Sequence, residues 1–554
     1  MTLPAVALTP RTAPGLGVGA TAGPVPDAGH RHHALRENTD GKEGREAGHS
    51  VAFTGPGCPL PPSDELFDLA IRDDFHRWEA QLANTGNCAN PVRLIGRIDA
   101  TDRATGNTAP IYDTATEPNG VLLVACGNRR EDVCPACSQV YKNDARQIIR
   151  SGLTGGKGIP DSVAAHPCVF ATLTAPSFGP VHTTRTGRAG RPLACRPRRD
   201  AHQRRCPHGR DISCPRYHRD GDPRLGQPLC ADCYDYTGHI LFNALGPEIW
   251  RRFTIYLPRQ LARLAGVTQK RLRSEVSVRF VKVAEYQARG VVHYHAVIRL
   301  DAGGNGYQPP PAQYTPGLLC QAIQRAASVV SCDTIALVSQ AIRRALPPEL
   351  RDTTPPPIID PGLGRILRFG TQIDTRVIRS AGNLPGTGVA LSPQAVANYI
   401  AKYATKTISA PGLPHRPLCG PKAIGALTCG QHYKRLITAC WQFGKHPDLA
   451  VLALNRWTHM LGYRGHFLTK SHSYSVSFTR LRRDRISYRR QQRHPGGEKD
   501  PWGRDLDDRI VLVAASWQYA GTGHATTAER QLALAAAARA REHDLIAREE
   551  TWTN

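Results

Sequence analysis

Residues 276–300 read VSVRFVKVAEYQARGVVHYHAVIRL. Two runs rich in β-branched and aromatic residues flank a turn at residues 288–290, and this pattern predicts a β-hairpin. Side chains alternate across a strand, so His293 and His295 lie on the same face. The turn places Glu285, on the first strand, roughly opposite His293. The hairpin therefore brings two imidazoles and one carboxylate together on one face of a sheet.

Two histidines and one carboxylate form a ligand set for a divalent cation. Three ligands leave coordination positions open, as a catalytic metal site requires. An oxygen-preferring ion, Mg²⁺ or Mn²⁺, is typical when the substrate is a phosphate. The chain has 22 His among 554 residues, so a His-x-His pair also arises by chance. The pair indicates a function only together with other residues.

The segment SPQAVANYIAKYATK, residues 392–406, predicts a helix that carries two tyrosines. Its first two residues suit the N-cap and the first helical position. Tyr399 and Tyr403 are four residues apart and share one helix face, and Lys406 lies three residues further along that face. A tyrosine can act as a covalent nucleophile, and a nearby cation stabilises charge on a phosphate. Packing of the helix onto a sheet is the alternative role for these tyrosines.

Three motifs occur in order along the chain: FATLT at 170–174, Glu-x7-His-Tyr-His at 285–295, and YIAKYATK at 399–406. This ordered set resembles the motifs of the HUH endonucleases that initiate rolling-circle replication. The last motif is similar to that of two-tyrosine phage and plasmid initiators. The phrases TLTAPSFGPVH, GQPLCADCYDY and VANYIAKYATK resemble RepSA-type initiators of actinobacterial plasmids and integrative conjugative elements. The resemblance covers roughly residues 120–475.

The resemblance implies a role for each of these residues. His293, His295 and Glu285 would hold the cation that polarises the scissile phosphate. The nucleophile would be Tyr403, which cuts one strand at the origin and leaves a 5′-phosphotyrosine and a free 3′-OH. Tyr399 would serve the second cleavage and the rejoining of the displaced strand. The sequence leaves open which tyrosine acts first. The side chain of Lys406 would assist electrostatically.

The resemblance also implies an α+β fold. Its core would be a four- or five-stranded antiparallel sheet with flanking helices, similar to the RNA-recognition (RRM) fold. The two histidines would lie on a central strand, FATLT on a strand beside it, and the tyrosines on a helix above. The hydrophobic pattern further predicts helices at 238–265 and 317–345 and a short strand at 366–378.

The cysteines predict structural metal sites. Sixteen Cys in a chain that begins without an export signal indicate reduced thiols or metal ligands. Cys134 and Cys137 form one C-x-x-C pair, Cys230 and Cys233 form another, and two such pairs can bind one tetrahedral zinc. The same block holds five further candidates, Cys126, Cys195, Cys206, His208 and Cys214, so one or two zincs are expected. Free buried thiols are the alternative.

The net charge of +25 favours a polyanionic partner, usually nucleic acid. Near the C-terminus, the basic segment RLRRDRISYRR predicts phosphate contacts with DNA. Its candidate residues are Arg480, Arg482, Arg483, Arg485, Arg489 and Arg490. A solvated run without a partner is the alternative.

No stretch of about 18 apolar residues exists, so no membrane span is expected. We therefore expect a cytoplasmic location, in association with the bacterial nucleoid or plasmid.

Composition and pattern predict four parts of the chain. They are a disordered tail at 1–60, an N-terminal helix and linker at 61–119, a zinc-binding and catalytic region at 120–475, and a basic segment with a C-terminal helix at 476–554. The helix at the C-terminus is expected to begin near Thr526, where Thr526 and Glu529 fit a capping box. No G-x-x-x-x-G-K-[ST] motif is present, so an initiator of this kind would depend on a host helicase and DNA polymerase.

Two other functions fit the same residues. A two-tyrosine HUH transposase would share the metal site, the tyrosines and a cysteine module. A zinc-containing DNA-binding regulator without catalysis would use Tyr399 and Tyr403 only for packing. A conjugative relaxase fits less well, because its tyrosine usually precedes the histidine motif.

Overall fold

A computed structural model describes residues 63–187, 190–198, 200, 204–351, 358–378, 391–406, 412–493 and 511–553. The tail at 1–60, predicted to be disordered, lies outside the described residues. The described residues form two compact units, one comprising 63–144 and 477–553 and the other comprising 145–476. Both units combine helices with antiparallel strands, which confirms the α+β class.

The described helices and strands are numbered in chain order. The helices are α1 (Ser63–Ala70), α2 (Phe75–Asn84), α3 (Pro135–Thr154), α4 (Tyr236–Leu264), α5 (Gln269–Glu275), α6 (Pro316–Val329), α7 (Thr334–Ala345), α8 (Pro393–Thr405), α9 (Pro421–Gly425), α10 (Gln431–Phe443), α11 (Phe478–Arg493) and α12 (Thr527–Thr553). The strands are β1 (Val92–Asp102), β2 (Thr108–Asp113), β3 (Leu122–Val124), β4 (Cys168–Leu173), β5 (Arg185–Thr186), β6 (Pro192–Leu193), β7 (Val276–Tyr286), β8 (Val292–Ala302), β9 (Ser331–Asp333), β10 (Ile366–Arg368), β11 (Ile373–Val377), β12 (Leu468–Lys470) and β13 (Val511–Thr522).

The larger unit is built on a five-stranded sheet with the order β11-β4-β8-β7-β12. Every neighbouring pair in it is antiparallel. The hairpin predicted at residues 276–300 forms β7 and β8, and β8 is the middle strand. In the turn, the Gln287 amide donates to the Val291 carbonyl and the Gly290 amide to the Gln287 carbonyl, each at 2.8 Å. The FATLT motif lies in β4, directly beside β8, as predicted.

The two faces of this sheet have different environments. One face, with Tyr294 and Ile298 on β8, is fully buried against the long helix α4. Trp250 of α4 packs against Phe280 and Tyr294, with ring centroids 5.2 Å apart in each pair. Asn243, also on α4 and fully buried, donates its side-chain amide to the Gly290 carbonyl at 3.0 Å. This face therefore fixes the hairpin, and the opposite face carries the histidines.

The smaller unit joins the two ends of the described chain. β1 pairs with β13 along its whole length, from Val92 opposite Thr522 to Asp102 opposite Val511. β2 and β3 pair with the other edge of β1. Buried Trp78 and Leu82 of α2 pack with the start of α12. Helix α12 has the predicted cap, since the Glu529 amide donates to the Thr526 hydroxyl at 3.1 Å.

The helical start of the region predicted at 61–119 is present, but the part predicted as a linker contains β1 and β2. β1 mixes charged and apolar residues, and its longest partner strand is about 410 residues away along the chain, so local pattern gave no indication of the pairing. The predicted N-terminal helix is also divided in two. In the break between α1 and α2, Arg72 binds the Asp74 carboxylate at 2.8 Å and Ile71 is exposed.

The single helix predicted at 317–345 is interrupted by β9. Asp333 is the last residue of β9. Its side chain accepts hydrogen bonds from the amides of Ile335 and Ala336 and so caps α7. The strand predicted at 366–378 is likewise two strands, of which β10 pairs with β9 and β11 with β4. Among the helices in the described ranges, none combines the length and apolar character needed to cross a bilayer.

Candidate active site and metal clusters

The hairpin places Glu285 directly opposite His293, as the sequence predicts. One oxygen of Glu285, Oε2, lies 2.7 Å from His293 Nε2 and 3.1 Å from His295 Nε2. The side chains of Glu285 and His295 are buried, and that of His293 is only slightly exposed. The three groups predicted as ligands therefore converge on one point above the middle strand.

The separations among these atoms fit a shared cation. Neighbouring ligands of an octahedral ion at 2.0–2.1 Å lie about 2.8–3.0 Å apart. The measured 2.7 and 3.1 Å fall close to this value. Two imidazoles and a carboxylate suit a divalent ion of the Mn²⁺ or Mg²⁺ type, with positions left for substrate oxygen. Glu285, His293 and His295 are thus able to hold the predicted catalytic ion.

Strand β4 orients His295. The Thr172 hydroxyl lies 3.2 Å from His295 Nδ1, which leaves Nε2 directed towards Glu285. The Phe170 ring stacks on the imidazole, with centroids 5.7 Å apart and planes 9° from parallel. Partners on the second ring nitrogen fix the orientation of metal-binding histidines. The FATLT strand therefore shapes the site through two of its side chains.

Helix α8 covers this face of the sheet with both tyrosines. The Ser392 side chain accepts from the Ala395 amide, and proline occupies the first turn, as predicted. The ring of Tyr403 lies 5.4 Å from that of His295, and the ring of Tyr399 lies 5.5 Å from it. The two tyrosine rings are 4.6 Å apart. The predicted nucleophiles therefore both contact the predicted metal site.

Lys406 connects the helix to the carboxylate. Its Nζ lies 2.5 Å from Glu285 Oε1, the oxygen that does not face the histidines. The same Nζ lies 5.1 Å from the centre of the Tyr403 ring. Lys406 thus places a positive charge beside Tyr403 and holds Glu285 in its orientation.

Burial and neighbouring charge set the protonation states at the site. Burial would raise the pKa of Glu285, but the charges and hydrogen bonds of His293 and His295 outweigh it and hold the pKa well below its usual range. Burial, with His293 beside it, lowers the pKa of His295 to about 4. Burial and the neighbouring Tyr403 raise the pKa of Tyr399 well above its usual value. A neutral imidazole and an ionised carboxylate are the forms that bind metal.

The predicted cysteine pairs belong to two separate clusters. Cys134 and Cys137 lie with Cys88 and Cys126 in the smaller unit, and this group is named the terminal cluster. The Cys88 Sγ lies 3.7 Å from that of Cys134 and 3.6 Å from that of Cys137. The two C-x-x-C pairs therefore do not belong to one shared site, a pairing that the sequence had left open.

The second pair lies in the larger unit with two residues that the sequence offered as further candidates. Cys230 and Cys233 group with Cys206 and His208, and these four residues are named the knuckle cluster. The His208 Nδ1 lies 3.2 Å from Cys233 Sγ and 4.0 Å from Cys230 Sγ.

The remaining candidates, Cys195 and Cys214, lie in neither of these clusters. They group with His182 and His218. Sequence reasoning missed both of these histidines and also Cys88. The spacing Cys214-x3-His218 was an available signal for one of them. Cys88 lies 38 residues before Cys126, so no local spacing indicates it.

The predicted arginines all lie on helix α11. Five of them are exposed, namely Arg480, Arg482, Arg483, Arg489 and Arg490. Arg485 is half-buried and binds the carboxylate of Asp144. Arg485 therefore has a structural partner within the smaller unit, and the side chains of the other five are exposed.

Comparison with known proteins identifies the family. A family model described as "Replication initiator protein, pSAM2" (RepSA) matches residues 74–538. The chain belongs to the RepSA family of replication initiator proteins. A curated replication initiator protein from Streptomyces ambofaciens is 38% identical over 474 residues, which cover 85% of this chain and 92% of that protein. No solved structure matches the chain.

Membership in the RepSA family decides between two functions that the motifs left open, initiation of replication and transposition. The match extends over the hairpin, the tyrosine helix and all three cysteine groups. It favours an initiator of replication over a transposase. Initiation of replication implies interaction with DNA, which agrees with the net charge of +25.

Proposed function

We propose that this initiator starts rolling-circle replication of a plasmid or integrative element by cutting one DNA strand at the origin with a tyrosine. One observation carries the proposal: Tyr399 and Tyr403 both contact His295, within a cluster of two imidazoles and one carboxylate. A packing role alone does not account for a buried carboxylate held by two histidines and a lysine.

Glu285, His293 and His295 would hold a Mg²⁺ or Mn²⁺ ion. When bound, this ion withdraws electron density from the non-bridging oxygens of the scissile phosphate. Thr172 and Phe170 orient His295, and Lys406 orients Glu285. These contacts would set the direction of two of the three ligands, His295 and Glu285, before substrate binds.

Tyr403 is assigned the first cleavage, because Lys406 lies beside its ring. Its hydroxyl oxygen forms a bond to the scissile phosphorus, and the bond from phosphorus to the 3′-oxygen breaks. The tyrosine proton passes to solvent, and the departing 3′-oxygen takes up a proton. The products are a 5′-phosphotyrosine and a 3′-OH that primes synthesis.

Tyr399 is assigned the second cleavage. It lies one helical turn before Tyr403, with the two rings in contact at 4.6 Å, so a second strand end can be transferred without leaving the site. The 3′-OH that the second cleavage releases then attacks the phosphotyrosine on Tyr403. The new phosphodiester bond closes the displaced strand, and the Tyr403 oxygen leaves and takes up a proton. Unwinding and synthesis would be supplied by a host helicase and a host DNA polymerase.

The terminal and knuckle clusters are assigned structural zinc. In a tetrahedral site with Zn–S of 2.3 Å, neighbouring sulfurs lie about 3.8 Å apart. The separations of 3.6 and 3.7 Å around Cys88 fit this value. Neither cluster leaves a position open for substrate, so both would support the fold rather than the chemistry.

DNA would contact the exposed arginines of the basic segment. Arg480, Arg482, Arg483, Arg489 and Arg490 would bind phosphates, with an affinity that falls steeply as salt increases. Arg485 is assigned to its ion pair with Asp144 instead.

A covalent adduct tests the proposal directly. The full chain is incubated with single-stranded DNA from the origin of its own element, with Mn²⁺ or Mg²⁺, and resolved on a denaturing gel. We expect a metal-dependent protein–DNA adduct that Tyr403→Phe reduces strongly, and that the double variant Tyr399→Phe, Tyr403→Phe abolishes. A variant with His293→Ala and His295→Ala should bind DNA without forming the adduct.

The exposed Tyr519 supplies the matched control, because Tyr519→Phe removes a hydroxyl in the smaller unit. Its adduct yield should equal that of the unmodified chain. If origin DNA binds but no adduct forms on any origin fragment with either metal, the protein acts as a non-catalytic DNA-binding regulator and the proposal fails.

A further inference from the structure

The segment from 182 to 233 has almost no hydrophobic core. Within its described residues, the buried positions are Cys195, Cys206, Cys214, His218, Gly226 and Cys230. All of them except the glycine are potential metal ligands. Among the described residues of the segment, the paired strands are β5 and β6, each only two residues long. A segment of this kind needs cross-links to fold, because it buries too little apolar surface.

One group of ligands in this segment has no assignment yet. His182, Cys195, Cys214 and His218, named the mixed cluster, present four ligand atoms within 4.8 Å of one another. The His182 Nδ1 lies 3.1 Å from His218 Nε2, and the Cys214 Sγ lies 3.4 Å from the same nitrogen. In a tetrahedral zinc site, two nitrogens lie about 3.3 Å apart and a nitrogen and a sulfur about 3.6 Å apart. The mixed cluster therefore has the dimensions of a Cys₂His₂ zinc site.

Two further contacts favour metal binding by His218 and Cys195 of the mixed cluster. The Asp222 carboxylate lies 2.7 Å from His218 Nδ1, on the side of the ring away from the cluster. A carboxylate at this position fixes the ring and strengthens the imidazole as a ligand. The Thr183 amide donates to Cys195 Sγ at 3.3 Å, which stabilises a thiolate.

The mixed and knuckle clusters alternate along the chain. The ligands occur as four consecutive pairs: His182 with Cys195, Cys206 with His208, Cys214 with His218, and Cys230 with Cys233. The first and third pairs form the mixed cluster, and the second and fourth form the knuckle cluster. A metal in the mixed cluster therefore closes the loop from 195 to 214, which contains Cys206 and His208 of the knuckle cluster. A metal in the knuckle cluster closes the loop from 208 to 230, which contains Cys214 and His218 of the mixed cluster.

We propose that the mixed cluster is a third zinc site, and that it is interlocked with the knuckle cluster so that the two zincs bind cooperatively. Binding at one site orders the loop that the other must close, and so lowers the entropy cost of the second binding event. The terminal cluster shares no loop with either and binds its zinc independently.

Zinc content and affinity test the proposal without any measurement of DNA cleavage. The full chain is equilibrated with a series of zinc–chelator buffers, and bound zinc is measured by mass spectrometry. We expect three zincs per chain. Cys214→Ser should remove the zinc of the mixed cluster and raise the free-zinc midpoint of the knuckle cluster at least tenfold. Cys233→Ser should act reciprocally on the mixed cluster, because coupling between sites is symmetric.

Three variants keep these results interpretable. Asp222→Asn leaves all ligands in place and should weaken the mixed cluster by about 10–100-fold. Cys88→Ser should remove one zinc and leave the other two midpoints unchanged. The exposed Cys419 belongs to none of the three clusters, so Cys419→Ser should retain three zincs.

Two zincs in the unmodified chain, or full zinc content in Cys214→Ser, would overturn the third site. A knuckle-cluster midpoint that stays within twofold when the mixed cluster is removed would overturn the interlocking. The double variant with Tyr399→Phe and Tyr403→Phe should still bind three zincs, so failure of the cleavage proposal and failure of this one are separable.

Discussion

The β7–β8 hairpin and the segment from 182 to 233 belong to the same unit but keep polar groups in place by different means. In the hairpin, Tyr294 and Ile298 are fully buried on one face, and the site residues lie on the other. Among the described residues of the segment, the buried side chains are themselves the candidate ligands. Apolar packing supports the first region, and we expect metal to support the second.

The difference between the two regions explains why catalysis is proposed for the site on the sheet and not for the cysteine clusters. A catalytic metal site needs ligands that stay in place while coordination positions remain open, and a rigid apolar layer beneath the strands provides this. The four-ligand clusters have no open position. The difference can be tested by removing each kind of support in turn.

Removal of zinc should produce the largest effect. Structural zinc contributes on the order of 10 kcal/mol to small folding units, so a strong chelator should unfold the segment from 182 to 233. Trypsin should then cut at its exposed arginines at least 100-fold faster, as followed by mass spectrometry of the fragments. The hairpin at 276–300 should stay resistant, and added zinc should restore protection. Equal protection of the segment with and without chelator would contradict a metal-supported fold.

The two regions also differ in how much of their structure the sequence could predict. The hairpin, its turn, the Glu285–His293 register and the cap of α8 all depend on residues within a few positions of one another. Strand alternation and capping rules apply directly to such spans. These parts of the fold and of the candidate site were predicted, and the structure confirms the register and the helix cap.

Which cysteines and histidines share one metal site could not be predicted from local spacing in this way. Cys88 and Cys134 approach to 3.7 Å but lie 46 residues apart, and no rule of spacing connects them. The alternation of the mixed and knuckle clusters depends on how loops cross, which composition does not determine. The pairing of β1 with β13 was missed for the same reason. Sequence reasoning therefore identified the cysteine block but not its partners.

Loss of apolar support under the sheet should be the next largest effect. Trp250→Ala removes a buried ring that contacts Phe280 and Tyr294, and should cost about 3–5 kcal/mol. Hydrogen exchange of β7 and β8 amides should accelerate accordingly, while zinc content stays at the level of the unmodified chain. Trp441, which is only half-buried, is the matched control, and Trp441→Ala should cost clearly less. An equal cost for both would argue against a core centred under the hairpin.

A buried lysine weakens that apolar layer. Lys282 of β7 is fully buried, its Nζ has no hydrogen-bond partner, and it lies 4.7 Å from the centre of the Tyr294 ring. Burial lowers the pKa of Lys282 to about 7 from an ordinary value of 10.5. The unfolded chain therefore binds one more proton than the folded chain between these two pH values. Stability of the unmodified chain should rise with pH across this window and be lowest below pH 7.

Lys282→Met should remove this cost. We expect the variant to be more stable at pH 7 by on the order of 3 kcal/mol. Its advantage should decrease by up to about 1.4 kcal/mol per pH unit between pH 7 and 9. Denaturant melts at pH 7, 8 and 9 measure the difference. An advantage that is constant with pH would mean that the lysine has a charged partner in the folded chain.

The smallest effect is expected where the segment from 182 to 233 contacts the turn of the β7–β8 hairpin. Gly226 has a φ of +80°, and a Cβ there would overlap the carbonyl group of Ala288 in the hairpin turn. Gly221 in the same segment has a φ of +88° with open space around it. Both Gly→Ala changes carry backbone strain of about 1 kcal/mol, but only Gly226→Ala also displaces the turn. We expect Gly226→Ala to lower the yield of covalent adduct several-fold and Gly221→Ala to leave it nearly unchanged, with zinc content equal in both. Equal yields would show that the hairpin holds its site without the metal-supported segment, whereas the expected difference would show that the segment positions the turn between Glu285 and His293.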